Sequence, residues 1–417
     1  MPIVRAFHGI RYASSEDMPN LICPPYDIIT PAMQEDLHQR HPHNAVRLEL
    51  AAGVGASDLE ERYSGAARAW ATWISEGILV RDEEPSLYVY RQDFTGPSGD
   101  RRRVVGIVGA LELEPFGSTS GVLPHERTMP GPKADRLALL TALPVNISPI
   151  YAIYRGAGAL VPYLEALEHR PTTARVAEDG VLHRLWVVSA TAEIEMLIDA
   201  LEAGPLVIAD GHHRYETALT FHESALGDGR EGDHGSIMCL CVDADSEGLV
   251  VLPYNRAVST AAIPPRGDLA TTLARFEVRE LEPDEADGAL RSSDSDHPFV
   301  LVEEGRELLV EIDDATVVGA VGDRAVAWRA LDVVALHEVL LPELGLHDAE
   351  LRFTKDPADV RALARTGSWL GVLLRPLAAP QVVDVARSGE RMPQKASYFW
   401  PKAATGMVFR PLLAETS

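Results

Sequence analysis

The pattern of hydrophobic and polar positions predicts a chain of alternating strands and helices. Residues 57–76 repeat their aromatic and aliphatic side chains at helical spacing, which predicts an amphipathic helix. Residues 87–94 and 101–113 are rich in apolar residues and are joined by Thr-Gly-Pro-Ser-Gly-Asp, which predicts a hairpin. Alternation of Val, Leu and Leu with polar residues over 41–50 predicts a half-buried strand.

The same pattern continues to the end of the chain without an internal repeat. Further strands are predicted at 146–154, 183–188, 298–312 and 316–320, and as a hairpin at 236–242 and 249–253. Further helices are predicted at 134–142, 160–168, 192–201, 269–276 and 333–340. We therefore expect an α+β fold with a mixed sheet in a first domain, 1–260. A smaller C-terminal α/β region, 261–417, follows it.

One stretch of the first domain has the composition of an anion-binding turn. A short apolar strand over 206–209 runs into Asp210 and Gly211, and a helix then opens with His212, His213 and Arg214. A helix that begins directly after a glycine turn offers free backbone N–H groups and the positive end of its dipole. Arg214 in the first turn adds a cation, so the sequence predicts a site for phosphate or another anion.

Composition narrows the classes of function. The formal net charge is −24, and an acidic surface repels nucleic-acid phosphates, so we expect no nucleic-acid partner. No run approaches the roughly 20 apolar residues that span a bilayer, and the N-terminus lacks the pattern of a secretory signal. The three cysteines, Cys23, Cys239 and Cys241, do not suggest a disulfide framework. We expect a cytoplasmic protein without a membrane partner.

Two other stretches concentrate polar chemistry. Residues 124–136 hold acidic, basic and hydroxyl side chains, Glu126 and Arg127 among them, in a loop stiffened by three prolines. Residues 391–407 carry Lys395 and Lys402 on either side of three aromatic residues and contain no acid, which suits binding of an anion. The simpler interpretation of residues 124–136 is a solvated surface loop. For residues 391–407 it is a C-terminal strand held in place by its aromatic side chains.

Five motifs occur in order along the chain: Pro-Pro-Tyr-Asp (24–27), His-Glu-Arg-Thr (125–128), Asp-Arg (135–136), Ala-Asp-Gly-His-His-Arg-Tyr-Glu-Thr-Ala (209–218) and Met-Pro-Gln-Lys-Ala-Ser-Tyr-Phe-Trp-Pro-Lys (392–402). Together they resemble a bacterial and archaeal family catalogued as domain of unknown function 1015 (DUF 1015), across essentially the whole chain. Two departures from the family pattern are Ala396, where serine is expected, and Tyr254-Asn255, where a threonine-histidine pair is expected.

The segment 211–218 is also similar to the Gly-Cys-His-Arg-Tyr-Glu-Ala motif of sulfiredoxin and to the matching segment of ParB-like proteins. That resemblance implies a ParB/sulfiredoxin-like core in which the glycine turn and a His-Arg pair bind nucleotide phosphates. His212 stands where sulfiredoxin has its cysteine, which excludes reduction of sulfinic acids. Some ParB-like relatives phosphorylate free serine with a nucleotide, using a carboxylate as the base.

These observations predict a small-molecule phosphotransferase, a kinase or phosphatase acting on an amino-acid-sized metabolite such as serine or phosphoserine. Phosphoryl transfer needs cations that position the phosphoryl group and a base for the attacking hydroxyl. Asp27 or Glu126 would be the base, His213 a phosphate contact or general acid, and Asp210 a ligand of Mg²⁺. The predicted phosphate-binding residues are Asp210, Gly211, His212, Arg214, Arg127, Lys395 and Lys402.

The cofactor would be a nucleotide, ATP or ADP, or pyrophosphate with Mg²⁺. The partner would be a small phosphorylated metabolite, and a homodimer is compatible with these predictions. In this hypothesis the tail, residues 391–406, returns to the site.

Two alternatives stay open. The first is a ParB-like module that binds nucleotide as a switch and has no metabolic activity. The second is a metal-dependent hydrolase with His212, His213, Glu216 and His222 as ligands, although no HExxH-type pattern supports it.

Overall fold

The structure is a computed structural model. It describes residues 1–51, 59–117, 120–126, 131–156, 158–263, 268–282, 285–346 and 351–413. The chain forms two compact units. Unit 1 comprises Met1–Pro124, Thr128–Val250 and Pro401–Ser417, and unit 2 comprises His125–Arg127 and Val251–Trp400. Among the described residues, no helix is both long enough and apolar enough to cross a membrane.

Unit 1 is built on a mixed sheet, for which the described residues supply nine strands. The predicted hairpin forms its centre, where Leu87–Thr95 and Arg101–Glu112 run antiparallel with Tyr88 opposite Val108. Val4–Arg5 also pairs with Arg101–Glu112. In order across the sheet, the other eight strands are Val122–Pro124, Leu206–Asp210, Ile150–Tyr154, Ser236–Asp243, Arg101–Glu112, Leu87–Thr95, Val181–Val188 and Ala174–Glu178.

Helices supply the rest of the unit 1 core. Apolar side chains of Thr191–Glu202 and His212–Gly227 join those of the sheet in one buried cluster, because each helix has an apolar face to remove from water. Ile10–Tyr12 pairs with Leu79–Arg81, and Val145–Asn146 pairs with Arg410–Pro411. The α-helices are Met18–Leu21, Pro31–Arg40, Val46–Glu49, Leu59–Ser75, Gly131–Ala142, Val161–Leu167, Thr191–Glu202 and His212–Gly227.

The strand predicted over 41–50 is wrong, because this segment contains the short helix Val46–Glu49. The Asn44 side-chain oxygen accepts from the Val46 backbone N–H at 2.9 Å, and its amide nitrogen donates to the carbonyls of Asn20 and Ile22. A short polar side chain that bonds nearby backbone groups favours a turn over a strand. The two-residue alternation of apolar side chains in this segment therefore does not reflect a strand.

Unit 2 contains a six-stranded sheet in which every neighbouring pair is antiparallel. In order across the sheet, the strands are Glu277–Leu281, Arg306–Ile312, His297–Glu303, Trp369–Leu373, Asn255–Ser259 and Leu351–Thr354. The α-helices of the unit are Leu269–Thr272, Ala286–Ser292, Asp314–Val321, Val326–Arg329, Asp332–Ala335, Leu341–Glu343, Pro357–Ala364 and Ala379–Arg387, with a π-helical turn at Leu336–Leu340.

Two further expectations are corrected by the structure. Residues 316–320 lie in the helix Asp314–Val321, which begins where the Asp313 side chain accepts from the Thr316 N–H at 2.8 Å. The segment 249–253 does not form a hairpin with its predecessor, because Val250–Leu252 pairs with Tyr398–Trp400. The predicted mixture of helices with a mixed sheet is confirmed, and a ParB/sulfiredoxin-like core stays a prediction.

Candidate functional site

The predicted strand, glycine turn and helix are all present in unit 1. Leu206–Asp210 ends at Gly211, which has a φ of 88° and precedes the helix His212–Gly227. A Cβ atom on Gly211 would lie 2.8 Å from the Ile150 side chain and 3.1 Å from Arg214 Nε. The N-cap residue Gly211 has no side chain to cap this helix, and the positive end of the helix dipole lies at the same turn.

Asp210 is held between two cations at this turn. Lys402 Nζ donates to one carboxylate oxygen, and Arg214 Nη2 donates to the other at 2.9 Å. Burial raises the pKa of Asp210, but the positive charges of Lys402 and Arg214 outweigh it and lower the pKa to about 2. Asp210 is therefore ionised at neutral pH and orients both cations.

Arg214 is anchored on its far side as well. Its Nη1 donates to Ser148 Oγ at 2.9 Å and to the Pro149 carbonyl at 2.8 Å. Its Nε is buried and has no acceptor among the described residues. An arginine held by three acceptors presents its fork in one orientation, which suits recognition of a phosphate.

Asp27 belongs to the same electrostatic site. It lies in the 3₁₀ turn Tyr26–Ile28, directly after Pro24-Pro25, and is accessible to solvent. Loss of hydration in the surrounding protein raises the pKa of Asp27, and the negative charge of Asp210 raises it further. The positive charges of Lys402 and Arg214 lower it. These mutual effects require the four groups to lie near one another. A carboxylate of raised pKa is a better proton acceptor than an ordinary aspartate.

A buried ion-pair network supports the turn that carries Asp27. The Arg136 guanidinium lies over the Tyr26 ring, 4.3 Å from its centroid. Arg136 Nη1 is 3.3 Å from Glu49 Oε1, and Arg136 Nη2 donates to Asp135 at 2.6 Å. Burial raises the pKa of Glu49, and the charges of Arg136 and Arg214 oppose it.

The network also borders a small cavity. This cavity has a volume of about 60 Å³, enough for a few water molecules, and its polar lining includes Glu49, Ser148, Arg214 and Thr217. Glu49 and Ser148 are members of the site that the sequence did not predict. Neither residue lies in a motif, and Glu49 fell on a segment interpreted as a strand.

The two histidines after Gly211 occupy the first turn of the helix and are partly buried. The charge of His212 contributes to lowering the pKa of Asp210, and the catalytic role of His213 stays a prediction. His222, proposed as a metal ligand, instead faces His234, with 2.8 Å between their Nδ1 atoms.

Within the described part of the chain, no three His, Cys, Asp or Glu side chains come together in a way that could hold a metal ion. The metal-dependent hydrolase therefore lacks a ligand set there. Lys402 and Arg214 each donate to one oxygen of Asp210, and the role of this residue as a Mg²⁺ ligand stays a prediction.

The remaining predicted residues divide as follows. Lys402 belongs to unit 1, whereas Glu126 and Lys395 belong to unit 2, and Arg127 lies outside the described residues. In unit 2, Glu126 forms a backbone bridge with Met392. The neighbouring His125 is 2.9 Å from Ser397, measured from ring Nε2 to the hydroxyl. The segment 125–126 therefore lies beside the motif 392–402, while convergence of Glu126 and Lys395 with Asp27 stays a prediction.

Comparisons with known proteins show the family of this chain and a weak similarity to several solved structures. The model of the family described as "Protein of unknown function (DUF1015)" matches residues 4–334 and confirms the resemblance carried by the motifs. No curated protein sequence matches the chain.

Solved structures that the chain resembles include a conserved hypothetical protein from Pyrococcus furiosus, at 14% identity and a TM-score of 0.31, covering 67% of this chain and 87% of that one. A free serine kinase in complex with AMP shares 15% identity at a TM-score of 0.35, covering 70% and 88%. SbnI with a C-terminal truncation, from Staphylococcus aureus, shares 10% identity at a TM-score of 0.36, covering 72% and 85%. At such TM-scores these likenesses carry no argument about function, which has to come from the site itself.

Proposed function

We propose that this chain, which belongs to the DUF1015 family of proteins of unknown function, is a small-molecule phosphotransferase. It would act as a kinase or phosphatase on a hydroxyl-bearing metabolite of amino-acid size, such as serine or phosphoserine. The observation that carries the proposal is the geometry after Gly211, where Asp210 holds Lys402 and Arg214 at the start of a helix. The charges of these three groups all act on Asp27. A carboxylate base and a set of phosphate-binding cations are the two parts that phosphoryl transfer needs.

The phosphate-binding part consists of a helix dipole and two cationic side chains. The positive end of the dipole of His212–Gly227 favours a phosphate at Gly211. Arg214 and Lys402, both oriented by Asp210, would contact the same phosphate and stabilise the charge that develops on it. The phosphate would belong to ATP, ADP or pyrophosphate in the synthetic direction, and to a phosphorylated metabolite in the reverse direction.

Asp27 would act on the substrate hydroxyl. In the synthetic direction its carboxylate accepts the hydroxyl proton as the substrate oxygen bonds to phosphorus, and the bond from phosphorus to the leaving phosphate oxygen breaks. Its raised pKa matches this role, and its exposure leaves the carboxylate open to a substrate. Asp210 would orient Lys402 and Arg214.

Phosphorus NMR tests the proposal directly. The full-length protein is mixed with serine, and then with other hydroxy amino acids, in the presence of ATP, ADP or pyrophosphate. We expect a new phosphomonoester signal with one of these donors, and we expect Asp27→Asn to slow its appearance by about a hundredfold or more.

Asp36→Asn is the matched control. It removes an exposed carboxylate from the helix that follows Asp27, where Asp36 pairs with Arg40 at the surface, and should leave the rate unchanged. Absence of transfer with every donor and every hydroxy amino acid would overturn the proposal.

One observation favours a second function, a nucleotide-binding switch without metabolic activity. The phosphate-binding part of the site, Gly211 with Arg214 and Lys402, is complete without Asp27. Calorimetry with CTP and ATP, together with size-exclusion chromatography, separates the two proposals. Tight binding coupled to dimerisation, with no phosphoryl transfer, would favour the switch.

A further inference from the structure

Lysine is rare in this protein, and its few positions are informative. The chain has 38 Lys and Arg residues, but only Lys133, Lys355, Lys395 and Lys402 are lysines. Lys133 pairs with Glu216, and Lys402 pairs with Asp210. The other two lysines, Lys355 and Lys395, belong to unit 2.

Both unit 2 lysines lie over tyrosine rings that contact each other. Lys355 Nζ is 3.9 Å from the centroid of the Tyr398 ring, and Lys395 Nζ is 5.3 Å from the centroid of the Tyr254 ring. The two ring centroids are 5.8 Å apart at an interplanar angle of 84°. The ring faces attract the two ammonium groups and hold them in one region of the surface.

Strand register explains why these residues meet. Asn255 lies opposite Thr354 in the antiparallel pair at the edge of the sheet, so Tyr254 and Lys355 emerge at the same end of it. Lys395 lies in the turn before Tyr398–Trp400 and has a φ of 56°, a left-handed conformation that few non-glycine residues adopt. Such conformations occur preferentially at binding sites, where the surrounding structure maintains them.

A third cation, Arg256, lies beside Lys395. Arg256 is fully buried, and its Nη2 donates to the Lys395 carbonyl at 3.1 Å. Its Nε has no acceptor among the described residues. Burial lowers the pKa of Arg256 to about 10, against the charge of Glu126, so the guanidinium stays protonated at neutral pH.

We propose that Lys355, Lys395 and Arg256, together with Tyr254 and Tyr398, form a binding site for an anion that carries a diphosphate group. The source would be inorganic pyrophosphate or the diphosphate of a nucleotide. Several positive charges beside two phenol groups match the charge and the many acceptor oxygens of a diphosphate better than those of a single carboxylate. Each ammonium is a compact charge with three donors that can turn from a ring face to a phosphate oxygen.

This site goes beyond the proposed phosphotransferase centre, which uses only groups of unit 1. Isothermal titration calorimetry on the full-length protein, at low ionic strength and without phosphate buffer, measures binding of pyrophosphate, ADP and adenosine. We expect pyrophosphate and ADP to bind and adenosine alone not to bind. Equal affinity for pyrophosphate and ADP identifies the diphosphate as sufficient, and tighter binding of ADP identifies a nucleotide as the ligand.

The decisive variant combines Lys355→Gln with Lys395→Gln. Both side chains are exposed, so the substitutions should not disturb folding, and we expect the affinity for pyrophosphate at this site to fall at least about tenfold. Arg352→Gln is the matched control. It removes a cation that lies 4.2 Å from the Trp369 ring centroid on the same edge strand, and should change the affinity by less than about twofold.

Arg214→Gln distinguishes this site from the centre in unit 1. We expect this variant to keep the binding that depends on Lys355 and Lys395, even if phosphoryl transfer is never detected. Unchanged binding in the double lysine variant would overturn the inference. Loss of all pyrophosphate binding in Arg214→Gln would also overturn it, because a single site in unit 1 would then account for the data.

Discussion

Lys402 donates a hydrogen bond to the carboxylate of Asp210, which lies 192 residues earlier in the chain. Since Arg214 takes the other oxygen of Asp210, one acid orients two cations at the start of a helix. Asp27 is affected by all three of these charges. This relationship makes the titration of Asp27 a sensitive test of the site.

Removing Asp210 and removing Lys402 should move the pKa of Asp27 in opposite directions. Asp210→Asn removes a negative charge that raises this pKa, so we expect the pKa to fall. Lys402→Gln removes a positive charge that lowers it, so we expect the pKa to rise. Carbon-13 NMR of the Asp27 carboxyl measures both changes without any assay of activity.

If Asp27 is the base, the acidic limb of the pH–rate profile should follow the same shifts, because the rate requires the ionised form. The limb then moves to lower pH in Asp210→Asn and to higher pH in Lys402→Gln. Shifts of both variants in the same direction would contradict the coupling of these charges to Asp27.

Gly211→Ala should destabilise the protein and weaken phosphate binding. The left-handed φ alone costs an alanine about 1–2 kcal/mol, and the new Cβ would also press on Ile150 and Arg214 Nε. Gly77→Ala is the matched control, since Gly77 has a φ of 71° but nothing lies within 4 Å of its Cβ. Urea denaturation and pyrophosphate calorimetry should show a larger stability loss for Gly211→Ala and a binding loss in that variant alone. Equal effects of the two substitutions would mean that Gly211 is needed only for its backbone conformation.

Arg136→Met should lower the free energy of unfolding by about 3 kcal/mol or more, because it leaves the buried Glu49 carboxylate without its ion-pair partner. Combining it with Glu49→Gln should restore part of this loss. Arg170→Met, which breaks an exposed pair with Glu193, should cost about 1 kcal/mol or less. Denaturation curves of the four proteins test these values, and a loss in Arg136→Met no larger than in Arg170→Met would contradict the structural role of the network.

Glu178→Gln should change how stability depends on pH. Burial raises the pKa of Glu178 from 4.5 to about 7, although its carboxylate pairs with Arg40 at 2.8 Å. The folded state therefore retains this proton where the unfolded state has lost it. Stability contributed by the group is fully present below pH 4.5 and is lost as pH rises through about 7, a change on the order of 3 kcal/mol. Thermal denaturation across this range should show a flatter profile for Glu178→Gln, and parallel profiles would refute the assignment.

Local sequence was sufficient to predict the strand, turn and helix at Gly211. The apolar run over Leu206–Asp210 has no periodicity of its own, but a glycine followed by helix-compatible residues marks the boundary. The same holds for Thr30, whose hydroxyl accepts from the Met33 N–H at 3.3 Å and begins the helix Pro31–Arg40. These features depend on residues within one helical turn, so a single sequence contains the information.

The hydrophobic pattern gave wrong predictions where contacts with distant parts of the chain determine the structure of a segment. The strand predicted over 41–50 became a helix because Asn44 bonds Asn20 and Ile22, about 20 residues earlier. Val250–Leu252 could pair with the preceding strand on its composition, yet it pairs with Tyr398–Trp400. Strand partners depend on the packing of whole elements, which periodicity does not describe.

The sequence by itself determined the family, the mixed helix and strand composition, and the strand, glycine turn and helix around Gly211. Only the tertiary structure decided that Lys402 pairs with Asp210, that Arg136 lies over Tyr26, and that Lys355 and Lys395 lie over contacting tyrosines. Charge and ring contacts act over a few ångströms, and residues far apart in the chain reach that distance only after the core has packed.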